Sequence, residues 1–138
     1  MAWREKQAWL ALSVMVVAYG VYFALVAGER RSMLAMLLLF GGVAIAQAVV
    51  MIVGSIVLAA RAGKEAQARA DERDRAIDRR SARIAYFVLL IGMIMVGVVM
   101  PFSEQGWRIS NAALLALVVA EVVRYGVVVV SYRRGWNG

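Results

Sequence analysis

Glu121 and Arg124 stand three residues apart inside a run, residues 109–132, that carries no other charge. On insertion scales a charge near the centre of a membrane-spanning helix costs about 2.5–3.5 kcal/mol, so such residues face protein or water and mark a function. A spacing of three sets both side chains on one helix face, within pairing reach. Two kinds of chemistry suit such a pair. The plainer is a buried ion pair that fixes helix register or partner choice. The sharper is a site for an ion, a proton or a polar substrate. An arginine on the same helix already neutralises the glutamate, which favours the plainer kind. Gln47, the one amide in a second uncharged run, is the expected hydrogen-bond partner of either residue.

Other chemistry is scarce. The chain has neither cysteine nor histidine. This excludes a disulfide framework, thiolate chemistry and haem attachment, and removes the commonest general base and transition-metal ligand. No phosphate loop, nucleophile elbow or metal-ligand motif is present, so neither an enzyme nor a cofactor is expected. Thioethers suit Cu(I), and Met33, Met36 and Met100 fall near one face. Met93 and Met95, however, point to opposite sides of a helix, and methionine is ordinary core filler. Asp71, Asp74 and Asp78 share a helix face without calcium-loop spacing, so a solvated, salt-bridged face is expected there rather than a metal site. The net charge of +7 does not point to nucleic acid, because the basic residues sit beside apolar runs, where snorkelling and topology account for them.

The elements that must position these residues are four apolar runs, at about 8–28, 32–60, 84–102 and 109–132. A hydrocarbon core about 30 Å thick needs roughly 20 helical residues. Backbone polar groups in lipid must be paired internally, which leaves helices or barrel strands, and nothing here alternates as barrel strands do. Of the 138 residues, 63% are hydrophobic, against roughly 45–50% in a typical globular domain. The fold class is therefore all-α: an integral membrane four-helix bundle forming one domain over residues 1–138. The first run is some 20 residues, longer than the roughly 7–15 of a signal peptide, and is expected to be retained.

Positive charge sets the orientation. Twelve basic residues flank one side: Arg4 and Lys6, Arg133 and Arg134, and eight in the segment 61–83. Only Arg30, Arg31 and Arg108 lie on the other. Both termini and segment 61–83 are therefore expected in the cytoplasm, in a cell inner (plasma) membrane. Trp3, Trp9, Trp107 and Trp136 fit as interfacial anchors. Segment 61–83 is rich in good helix formers. After a break at Gly63 it is expected to run as one helix into the third span, carrying Glu65–Arg69 and Asp71–Arg75 pairs. Ala66, Ala70, Ile77 and Ile84 make a thin apolar stripe along it. Its arginines suit anionic lipid headgroups, at around 1 kcal/mol each.

Small residues four apart let helices approach closely in lipid. Gly20, Ala24 and Gly28 form one such ridge, Gly42 and Ala46 (with Gly54 further on) a second, and Ala112, Ala116 and Ala120 a third. Gly92 and Gly97 make no clean ridge on the third span, and Pro101 is placed to end it. Three ridges exceed what internal packing needs, which points to a homodimer or a partner in a membrane complex. A shift of 74 residues superposes Gln47 on Glu121 and the turn at 29–31 on 103–105, the register of a duplicated transmembrane αα-hairpin.

Asp71-Glu72-Arg73-Asp74, then Ile77 and Asp78, then Ala82-Arg83-Ile84-Ala85-Tyr86 leading into a span, resembles small uncharacterised prokaryotic membrane proteins of the DUF2178 type. In those, a charged acid–Glu–Arg segment precedes a transmembrane helix. The resemblance implies a bacterial inner-membrane protein and carries over no catalytic or binding residue. The function expected is a non-enzymatic accessory, regulatory or scaffold subunit working through helix contacts. The alternative is a small transporter or channel with Glu121 as its coupling residue. Four short spans and one membrane carboxylate are similar to small multidrug-resistance transporters. Their essential glutamate, however, lies in the first span, where this chain has none.

Overall fold

The computed structural model describes residues 2–28 and 31–135. Glu29, Arg30 and Trp136, and the Glu65 side chain with its expected pair to Arg69, lie outside the described residues. Five α-helices follow in order: α1 Trp3–Val26, α2 Met33–Ala62, α3 Lys64–Gln67, α4 Glu72–Ile94 and α5 Gly106–Arg133. α4 continues through a wide π turn, Met95–Val99, and a tight 3₁₀ turn, Met100–Phe102. With that extension, α1, α2, α4 and α5 are each long and apolar enough to cross a membrane.

Local chemistry sets the ends. The Ser32 hydroxyl accepts from the Ala35 amide at 3.2 Å and opens α2, the ordinary work of an N-cap serine. Gly63 closes α2 with φ of +55°, a left-handed conformation natural only to glycine. Gly28, counted above with the first ridge, lies past the end of α1 at φ of +82° and serves the turn instead. Pro101 lacks an N–H and its ring crowds the carbonyl four residues back. The chain answers by widening and then tightening its last turns, so the third span reaches Phe102 without a break.

Segment 61–83 departs from the single uninterrupted helix expected after Gly63. α3 is four residues long, and the helix stops until Asp71 starts α4. There the Asp71 carboxylate accepts from the Asp74 amide at 2.7 Å, and the Asp74 carboxylate accepts from the Asp71 amide at 3.3 Å. This reciprocal capping box spends Asp71, so the expected Asp71–Arg75 pair does not form. The first turns of α4 do not project; they lie against the bundle, with Ile77 and Ser81 fully buried.

α1 packs against both α2 and α5, and α4 packs against α5, whereas α2 and α4 hardly touch. The order across the bundle is thus α2, α1, α5, α4. Two-fold packing of a duplicated hairpin would match the α1–α5 contact with one between α4 and α2; a fissure lies there instead. The core sits where α1, α2 and α5 meet, around Met15, Tyr19, Tyr22, Met36 and Val118. Tyr19 stacks on Phe40 at 5.2 Å between centroids, and Tyr22 meets the same ring edge-on. The Tyr22 hydroxyl donates to the Asn111 side chain at 3.1 Å, joining α1 to α5.

Candidate functional site

A polar cluster binds the ends of α1, α4 and α5 on the side of both termini. Asp74, in the first turn of α4, pairs with Arg4 of α1 at 3.1 Å and accepts a short hydrogen bond from the Tyr132 hydroxyl of α5. Arg133 lies 3.8 Å from the Glu5 carboxylate and over the Trp9 ring at 5.0 Å. Arg73 lies over the Tyr132 ring at 5.7 Å. Glu5 is 92% covered, with its residue only 8% exposed. A charge so covered needs a partner, and Arg133 supplies it.

Arg124 belongs to the inner edge of the same cluster. Its guanidinium lies 3.4 Å from the Asp78 carboxylate of α4 and 4.0 Å from Glu121. The side chains of Arg124 and Glu121 remain 37% and 39% exposed, so neither is sealed in the bundle. The contact with Asp78 puts Arg124 level with the charged turns of α4, not at mid-membrane. Sixteen residues, about 24 Å of helix at 1.5 Å each, separate Arg124 from Arg108. That spacing suits two arginines that each snorkel toward an interface from a span.

Gln47 stands apart. Among the described residues it makes no hydrogen bond to Glu121 or Arg124. Its Oε1 is buried without a partner, in a largely apolar groove between α1 and α2 beside Ser13, Val17, Ala46 and Val50. Ser13 bonds its own helix, to the Trp9 carbonyl at 2.8 Å.

The ridges divide by role. Ala112 and Ala116 are partly buried and Ala120 is buried, on the α5 face that meets α4. A Cβ built on Gly92 would stand 2.8 Å from the Ala116 Cβ. Gly20, Ala24, Gly42 and Ala46 are exposed instead, and nothing lies within 4 Å of a Cβ built on Gly20 or Gly42. The three aspartates of α4 do not converge: Asp71 caps, Asp74 holds Arg4 and Tyr132, and Asp78 holds Arg124. Asp74 and Tyr132 are the site residues that sequence reading missed. Their separation of 58 residues leaves no local signal, though a tyrosine and an aspartate at the two helix ends on one side are consistent with a clasp.

Between the open sides of α2 and α4 lies a cavity of about 320 Å³. Arg4, Asp74, Arg75, Asp78 and Arg124 ring it, and Ala8, Ala11, Met51 and Val128 give it an apolar wall. Arg75 makes no ion pair among the described residues. No curated protein and no solved structure matches the chain. The family model of DUF2178, described as a predicted membrane protein, matches residues 4–136. Four membrane-length helices, the charged start of α4 and a match over nearly the whole chain agree, and the chain belongs to the DUF2178 family of membrane proteins.

Proposed function

We propose that the chain is a non-enzymatic accessory or regulatory subunit of the cell inner membrane, with both termini and the link 63–71 cytoplasmic, that works through helix contacts. The observation carrying this reading is the outward exposure of two small-residue ridges, Gly20 with Ala24 and Gly42 with Ala46. Helix α2 adds to it, because Met36 is its single buried residue among those described. Small residues on a lipid-facing surface are where another helix can come closest.

Against transport stands the distribution of charge. The Glu121–Arg124 pair sits at one interface, already engaged with Asp78, and aromatic packing around Tyr19, Tyr22 and Phe40 fills the other half. A coupling carboxylate needs a polar route to both sides, which that packing does not offer.

The test is affinity capture from native detergent extracts, with mass spectrometry of the retained proteins. Wild type is expected to retain a membrane partner or a second copy. The double variant Gly20→Leu/Gly42→Leu should lose it while its thermal unfolding stays unchanged. A proton-coupled flux in proteoliposomes that Glu121→Gln abolishes without unfolding the protein would instead establish transport.

A further inference from the structure

The cavity between α2 and α4 has a composition that the subunit reading does not use. A four-helix bundle in which α2 and α4 hardly touch is open along that side, so the space is accessible from the surrounding lipid. Ala70, from the link between α3 and α4, helps cover it from the cytoplasmic side. The cavity also lies at a suitable height, since Arg124, spaced to snorkel toward an interface from α5, also lines it.

Its charge is unbalanced. Three arginines and two aspartates line it. Arg4 is neutralised by Asp74 and Arg124 by Asp78, which leaves Arg75 without a counter-ion among the described residues. Glu121, 4.0 Å from Arg124, does not line the cavity. One further negative charge closes the account, and guanidinium groups are the natural donors to a phosphate. A zwitterionic headgroup brings its own ammonium and leaves the surplus uncancelled. An anionic headgroup cancels it, with the apolar wall of Ala8, Ala11 and Met51 against the glycerol and first methylenes.

We propose that this cavity binds the phosphate-bearing headgroup of one anionic phospholipid, entering sideways between α2 and α4, with Arg75 and Arg124 as its ligands. The site does not depend on any protein partner. An arginine near such a surface is worth around 1 kcal/mol, or about fivefold in affinity.

The experiment is native mass spectrometry of the purified full chain in detergent, titrated separately with phosphatidylglycerol and phosphatidylcholine of the same acyl chains. Wild type should take up one phosphatidylglycerol in preference to phosphatidylcholine. Arg75→Gln, which breaks no ion pair among the described residues, should weaken phosphatidylglycerol by about fivefold, and Arg75→Gln/Arg124→Gln should erase the preference. The control Arg79→Gln/Arg83→Gln changes two exposed arginines of the same helix outside the cavity and should leave it. An equal loss in that control overturns the site in favour of diffuse surface charge. Equal binding of the two lipids overturns it as well. Displacement of the lipid by millimolar inorganic phosphate reassigns the cavity to a soluble anion and overturns the lipid.

Discussion

Glycine does two different jobs on the faces of these helices, and substitution separates them. At Gly92 an added methyl would press on the Ala116 Cβ at 2.8 Å. That atom is fixed to the α5 backbone, so the helices must part. Overpacking of this kind costs about 1–3 kcal/mol. At Gly54 the obstruction is the end of the Leu10 side chain, which can rotate away. At Gly20 and Gly42 there is open space. Thermal unfolding in detergent, followed by circular dichroism, should therefore rank Gly92→Ala well below Gly54→Ala, with Gly20→Ala and Gly42→Ala at or above wild type. A Gly20→Ala loss as large as that of Gly92→Ala would show that the assignment of faces is wrong. Sequence identifies small residues but not the face they serve. In lipid both faces of a span are apolar, so the pattern that separates core from surface in water is missing. Gly92, which belongs to no ridge, is the glycine of the set whose close contact is with an atom fixed to a neighbouring helix.

Helix α4 is one element in two solvents. Its charged first turns are held by the Asp71 capping box, by Arg4 and by Tyr132, while its later turns rest on α5 through Gly92. Removing Asp74 should act on the first part alone. In Asp74→Ala, amide exchange of residues 72–81 should quicken and that of 84–94 should stay as it was, read by hydrogen–deuterium exchange in detergent. Equal quickening along the whole helix would mean that the clasp supports the bundle rather than one end of it. The continuity of α4 from charged to apolar turns is legible in the sequence, because nothing between Glu72 and Ile94 breaks a helix. The gap before it is not legible from propensity: Ala68, Arg69 and Ala70 are good helix formers, and it is the Asp71–Asp74 capping box that starts α4 afresh. The contact of Arg124 with Asp78 is not legible either, since 46 residues separate the two.

For the molecule as a whole, the class and the four crossings follow from length and hydropathy, while the pairing of helices does not. The even number of crossings puts residues 2, 63–71 and 135 on one side, and the charge bias supports the proposal that this side is the cytoplasm. The native chain lacks cysteine, so single substitutions report cleanly. Arg69→Cys should react with a membrane-impermeant maleimide only in inverted vesicles, and Ser103→Cys only in intact spheroplasts. The reverse pattern would invert the orientation, and labelling of both positions from one side would dismantle the four-span topology.

The docking of α5 on α1 joins helices that are synthesised about a hundred residues apart. During synthesis, α1 and α2 enter the bilayer with Tyr22 still lacking Asn111 and Glu5 still lacking Arg133. Their completion waits until α5 has left the ribosome. Until then the nascent hairpin is half-built and open to the proteases that survey the membrane, so a stop codon even a few turns early should yield a short-lived fragment rather than a smaller working protein.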